Sequence, residues 1–217
     1  KIMTALVVLD QMNLEEIILL SKKAVDTYED FGNLVVDERL SARNLLYIML
    51  LQSSNDAAMA LSEGVEQKKG GSILFINLMN QKAKEIDLAD SFFTDPSGLN
   101  LDNISTAADL VKLTQYSLEN PQYSFLWQVL GAKEIDVQSS DGAINHPLQT
   151  TNKLLGQIPE IIGGKTGYTE EAGECLILAL RMPAGQYLIN IILGAVLGER
   201  FIEAERLINW TKQVYFW

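Results

Sequence analysis

The 217 residues are 47% apolar and 21% charged, which suits one domain with a real buried core. A net charge of −11 argues against nucleic acid and against an anionic membrane surface as partners. His146 is the only histidine and Cys175 the only cysteine, so the sequence implies no intrachain disulfide, no multi-histidine metal site and no cofactor. Cys175 lies in an apolar run and reads as a small core residue, which also removes a Cys/His nucleophile pair.

Lys1 to Met12 is apolar almost all round, as expected of a helix buried on most faces. The chain begins at Lys1 with no methionine or signal peptide, so it reads as an internal fragment whose first helix starts upstream. Glu15 to Glu38 reads as a surface connection with short extended pieces. Ser41 can cap a buried helix from Ala42 to about Gln52. Ser53-Ser54-Asn55 interrupts it, and a helix resumes from Asp56 to Glu63 before Gly64 stops it. After the break Lys68-Lys69-Gly70-Gly71, an amphipathic helix is expected over Ile73 to Ile86. Asp95-Pro96-Ser97-Gly98 has turn chemistry. Thr106 with Asp109 makes a capping-box-like start to a helix ending before Asn120-Pro121.

A short aromatic helix follows, then a hairpin of Glu134 to Gln138, a Ser-Ser-Asp-Gly turn, and Ala143 onward. Cys175 to Arg181 and Tyr187 to Val196 have the length and composition of central antiparallel strands. Glu199 to Phe216 places Phe201, Ala204, Leu207, Ile208 and Tyr215 at helical spacing, a face for covering that sheet. The expected architecture is α+β in a single domain over 1–217. Its helical region spans about 10–130 and its sheet region about 131–217. The sequence contains no transmembrane span.

Gly163-Gly164-Lys165-Thr166-Gly167-Tyr168-Thr169 stands just before the longest apolar run. Glycines here admit another backbone or a ligand, while threonine and tyrosine favour an extended chain. The segment reads as an edge strand presenting Lys165 and Thr166 to a cleft. Taken alone, the tripeptide fits a β-turn with a solvated lysine better, and the motifs around it reverse that reading.

Three fragments carry chemistry together: Lys1 heading a buried helix, Ser53-Ser54-Asn55 between helices, and Lys165-Thr166-Gly167 on a strand. Their order is that of the Ser-x-x-Lys, Ser-Asp-Asn and Lys-Thr-Gly signature of penicillin-binding proteins and class A β-lactamases, with only the lysine of the first motif among these residues. The chain resembles the low-molecular-mass penicillin-binding proteins, the serine-type D-alanyl-D-alanine carboxypeptidases. The likeness runs through Gln52 to Ala58, Phe93 to Leu99, Ser105 to Leu110, Thr151 to Leu155, Gly164 to Thr169 and Ala172-Gly173.

The resemblance implies a β-lactamase/transpeptidase-like fold, an antiparallel sheet flanked by helices with a mostly helical insertion. It implies Lys1 as the base for a serine three residues upstream, a position the 217 residues do not contain. Such a base needs its pKa lowered from about 10.4 by roughly three units, about 4 kcal/mol. Burial and a second cation, Lys165, act in that direction. Ser53 would relay the proton to the departing amine, and Asn55 would hold the substrate amide and orient Lys1. Lys165 and Thr166 would meet the terminal carboxylate. Gly167 would let the substrate lie along the strand, and the Tyr168 N–H would contribute to an oxyanion hole. The implied partners are a peptidoglycan stem peptide and β-lactam antibiotics, and the implied location is extracytoplasmic. The family's N-terminal strands and C-terminal membrane-attachment extension are not among these residues. A peptidoglycan-binding module without acylation and a class A-like β-lactamase are the alternatives; for the latter, no clear deacylating glutamate stands between Pro121 and Lys165.

Overall fold

Seven consecutive residues of the first helix, Ile2 to Val8, are buried, because a sequence apolar on every side must be covered on every side. The computed structural model describes residues 1–28, 32–71 and 74–215. Helix α1 (Ile2–Gln11) is followed by β1 (Ile17–Leu19), one helical turn α2 (Lys22–Val25) and β2 (Arg39–Ser41). The two strands pair antiparallel with Ile18 opposite Leu40. Ser41 closes β2 and caps α3 (Ala42–Leu51), its hydroxyl accepting the Asn44 amide at 3.2 Å.

The Ser53-Ser54 break falls where the sequence places it. Ser53 sits at φ 63°, a left-handed conformation that a helix cannot continue through. Ser54 then caps α4 by accepting the Ala57 amide at 2.9 Å. Gly64 does not end α4, which runs Asn55–Lys68. A Cβ at Gly64 would lie 2.8 Å from Ile18 Cδ1, so this glycine serves close packing against β1 and not termination. Helix α5 spans Phe75–Glu85, and the expected start at Ile73 lies outside the described residues. Thr106 caps α6 (Ala107–Glu119). The Asp109 carboxylate turns away from the cap and accepts the Asp90 amide and the Ser91 hydroxyl, at 2.9 and 2.8 Å. A single 3₁₀ turn, Pro121–Tyr123, leads into α7 (Ser124–Leu130).

The hairpin β3 (Glu134–Gln138) and β4 (Asn145–Gln149) forms as the sequence implies. His146 on β4 is buried 2.7 Å from the Glu38 carboxylate, tying the hairpin to the segment that leads into β2. The main sheet among the described residues is β5 (Ile161–Thr169), β6 (Gly173–Arg181) and β7 (Tyr187–Ala195), antiparallel in that spatial order. Strand β6 separates two cores. Ile177 packs towards the large helical core, while Leu176, Leu178 and Leu180 pack against Ala204 and Ile208 of α8 (Arg200–Val214). This is an α+β fold, and β5 stands at an edge of the sheet.

Two expectations need correction here. Cys175 is only half-buried, because it lies at the start of β6 where the sheet opens towards solvent. Leu207 and Tyr215 are exposed and do not cover the sheet. Tyr215 lies past the end of α8 in an extended conformation, and Ala204, Ile208 and Thr211 supply the inner face of the helix. Of the two roles open to Gly163 and Gly164, admitting another backbone or a ligand, the structure shows the first. Added Cβ atoms would meet Leu130 of α7 at 3.1 Å and the Ile177 carbonyl oxygen at 2.5 Å, so both glycines serve internal packing.

Candidate active site

Helix α1 carries Lys1 at its head into the space between the helical core and strand β5. The Lys1 Nζ donates to Asn55 Oδ1 at 2.6 Å and to the Ser97 carbonyl oxygen at 2.7 Å. Three residues further along α1, the buried Thr4 hydroxyl donates to the Pro96 carbonyl at 2.6 Å, fixing the helix to the same turn. The turn is built by Asp95, whose Oδ1 accepts from the Ser97 amide at 2.6 Å, the Ser97 hydroxyl at 2.8 Å and the Gly98 amide. Its other oxygen accepts from the Asn100 amide and from Asn103 Nδ2. Burial works to raise the Asp95 carboxyl, but these donors outweigh it and hold the group below the usual carboxylate range.

Asn55 is buried at the first turn of α4 and has both ends of its amide engaged. Its Nδ2 donates to the Tyr28 carbonyl oxygen at 3.1 Å while Oδ1 faces Lys1. Ser54, between Ser53 and Asn55, bonds the Asp56 carboxylate in addition to capping the helix. Gly32 lies so close to this pair that a Cβ there would stand 2.8 Å from Ser54 Oγ.

From the opposite wall, Lys165 Nζ donates to Ser53 Oγ at 2.8 Å and to the Thr166 carbonyl oxygen at 2.8 Å. Lys165 is only 8% exposed, so it is no solvated lysine on a strand edge. Burial pushes its ammonium well below the ordinary lysine range, and the positive charges of Lys1 and Arg200 push the same way. The structure therefore pairs Lys1 with Asn55 and Lys165 with Ser53, one side-chain bond each. Thr166 sits beside them on β5. Gly167 is the strand glycine with room around it, its nearest neighbour to an added Cβ being Cys175 Cβ at 3.6 Å. Tyr168 follows, its side chain about half exposed.

Other contributors are not among the expected site residues. Arg200, at the start of α8, donates to the Gly167 carbonyl oxygen at 2.8 Å and pairs with Glu174 Oε1 at 2.5 Å. Burial would raise the Glu174 carboxyl, yet the Arg200 side chain and backbone hold it below the usual range. Thr151 reaches Thr166, their hydroxyl oxygens 2.6 Å apart. The only advance signal for the Ser97 carbonyl was the turn chemistry of Asp95 to Gly98, and for Arg200, 33 residues from its partner, there was none. Among the described residues no cluster of acidic, histidine or cysteine side chains is arranged to hold a metal ion, and no helix is long and apolar enough to cross a membrane.

Residues 1–196 match the family model described as D-alanyl-D-alanine carboxypeptidase. A D-alanyl-D-alanine endopeptidase of Pseudomonas aeruginosa is 31% identical over 97% of this chain and 67% of its own length. A D-alanyl-D-alanine carboxypeptidase of Mycobacterium tuberculosis is 30% identical over 90% of this chain and 65% of its own length. The chain thus spans about two thirds of the length of these relatives. The crystal structure of a Streptomyces DD-transpeptidase superposes with a TM-score of 0.86 at 28% identity, covering 98% of this chain and 86% of that one.

Proposed function

Since the chain belongs to the D-alanyl-D-alanine carboxypeptidase family, we propose that it is the catalytic part of a serine DD-peptidase. In this reading it removes the terminal D-alanine from peptidoglycan stem peptides, acts outside the cytoplasm and is acylated by β-lactams. The observation that carries the reading is the meeting of Lys1 and Lys165, each on its own hydroxyl or amide partner, across one cleft. The nucleophile is a serine three residues ahead of Lys1, which one helical turn would place on the same face as the lysine. Neutral Lys1 takes the serine proton as the serine oxygen attacks the carbonyl carbon of the penultimate D-alanine. The proton passes through the Ser53 hydroxyl to the departing amine, so that the C–N bond breaks to give a neutral amine. Water then attacks the acyl-serine ester, its proton taken by the same base, and the ester bond breaks to return the serine.

Lys165 holds Ser53 Oγ as an acceptor, leaving the serine's own proton to be handed on, and it supplies positive charge for the substrate carboxylate. Thr166 bonds that carboxylate. Gly167 and the Tyr168 N–H line the edge on which the peptide lies as an added strand. A groove that only bound peptidoglycan would have no use for a lysine buried at the expense of its hydration, which weighs against a binding module. Relatives are named both endopeptidases and carboxypeptidases, and the two reactions differ only in the leaving amine. The deciding experiment supplies the protein, with the residues encoded upstream of Lys1, with a D-Ala-D-Ala peptide and a cross-linked dimer. Release of D-alanine supports the proposal, cleavage of the dimer alone assigns an endopeptidase, and tight binding without cleavage of either supports the module.

A further inference from the structure

We propose that Thr151 is a specificity-determining residue, its hydroxyl directing the Thr166 O–H at the free carboxylate of the substrate. The inference rests on the DD-peptidase reading above. Thr151 lies in the connection after β4, exposed to solvent, while Thr166 beside it is only 9% exposed. Its backbone is fixed on both sides. The Thr151 amide donates to the Leu51 carbonyl oxygen at 3.2 Å, at the end of α3 and two residues before Ser53. The next residue, Asn152, is buried, with its amide on Thr150 Oγ1 and its Oδ1 on the Leu154 amide, both at 3.2 Å. Thr151 therefore spans from the Ser53 wall to the strand wall of the cleft and is not free to swing aside.

Each hydroxyl has a single proton, and the 2.6 Å contact uses one of the two. If Thr166 donates to Thr151, Thr166 shows only lone pairs to the cleft and repels a carboxylate. If Thr151 donates to Thr166, the Thr166 proton is released towards the cleft and its O–H is strengthened as a donor. An anion in the cleft selects the second arrangement. Lys165, bonded to the Thr166 carbonyl oxygen, adds the positive potential that favours it. A substrate whose C-terminus is blocked as a neutral amide gains much less from this arrangement, so the pair discriminates for a free C-terminal carboxylate.

The test compares the enzyme carrying its upstream residues with its Thr151→Val and Thr151→Ser variants. The substrates are a peptide ending in D-Ala-D-Ala and the same peptide ending in a carboxamide. The parent is expected to prefer the free acid, Thr151→Val to narrow the kcat/KM ratio about tenfold, and Thr151→Ser to keep it. The ratio is insensitive to general damage to the fold, which lowers both rates together. A parent that turns over the two peptides alike, or a valine variant with the parental ratio, overturns the inference and leaves the DD-peptidase reading standing. A parent that releases nothing from either peptide overturns the reading itself.

Discussion

Lys165 Nζ lies 2.8 Å from the hydroxyl of Ser53, 112 residues away, and this one contact joins the strand wall of the cleft to the helical wall. Replacing Lys165 by Met is expected to lower acylation by penicillin at least about a hundredfold, the scale of losing a positioned proton-transfer partner. The same variant carries a stability signature. In the folded chain Lys165 loses its proton at a lower pH than in the unfolded chain, so between that pH and about 10.4 the unfolded state binds more protons. Parental stability therefore rises with pH across this window, and the methionine variant lacks the contribution. Thermal melts as pH rises towards about 10 should show the parent gaining on the variant. Parallel curves would mean that Lys165 is not under strain from burial.

Asn55 is placed to hold Lys1 without charging it. Asn55→Asp sets a carboxylate where the amide oxygen now stands 2.6 Å from Lys1 Nζ, and an opposite charge at that distance favours the ammonium. The rise of the acylation rate with pH should move to higher pH, with the plateau less affected. Asn55→Ala should instead lower the plateau and destabilise the fold by about 1 kcal/mol, since the half-buried bond to the Tyr28 carbonyl oxygen is lost too. A pH–rate profile of Asn55→Asp that superimposes on the parent's would remove the orienting role given to Asn55.

The Asp95 turn supplies the Ser97 carbonyl to Lys1, so its loss should be felt in both stability and rate. Asp95→Ala is expected to cost about 2–3 kcal/mol at pH 7, the scale of a carboxylate accepting several amide bonds. The folded Asp95 has a depressed pKa, so its contribution is present above the unfolded value of about 3.9 and is lost as pH falls through the folded value. Urea titrations of parent and variant should thus converge below about pH 4. A difference that stays constant down to pH 3 would show that the carboxylate charge is not what holds the turn.

Much of this arrangement was visible before any coordinates. Ser41 and Thr106 act through their own neighbours in sequence, as helix caps do, and the lengths of β6 and β7 follow from apolar runs bounded by turns. What sequence could not supply was depth. Lys165 reads as a strand-edge residue because its neighbours are glycines, yet those glycines allow α7 and β6 to close around the strand and bury it. Gly64 reads as a helix stop for a similar reason, since a glycine needed for packing looks the same as one needed for termination. Arg200 was illegible as a site residue because nothing local distinguishes a lone arginine that meets β5 through tertiary contact, and Thr151, though inside a stretch that carries the resemblance, gave no sign of its bond to Thr166.

On the far side of α1 from the cleft, Lys82 pairs with Asp10 at 2.8 Å, and Asp10 also accepts from Tyr123 and Gln122. Burial works to lower the Lys82 pKa, but its bonds to Asp10 and Glu85 raise it above the ordinary lysine value. Lys82→Ala should cost about 3 kcal/mol by leaving a largely buried carboxylate short of its cation, and pairing Lys82→Met with Asp10→Asn should recover most of that loss. Urea unfolding of the single and double variants checks this. Equal losses in both would show that the pair acts through packing and not through charge.

The central claim is that Lys1 serves a serine one helical turn upstream, with Ser53 and Lys165 facing it. The most direct measurement is intact-mass and peptide-mapping analysis of two proteins after exposure to benzylpenicillin, namely residues 1–217 alone and the same chain with its upstream coding sequence. The account predicts no covalent adduct on the first protein. It predicts one penicilloyl group on the second, mapped to the serine three residues before Lys1. A stoichiometric adduct within residues 1–217, or no adduct on the folded longer protein, would contradict it.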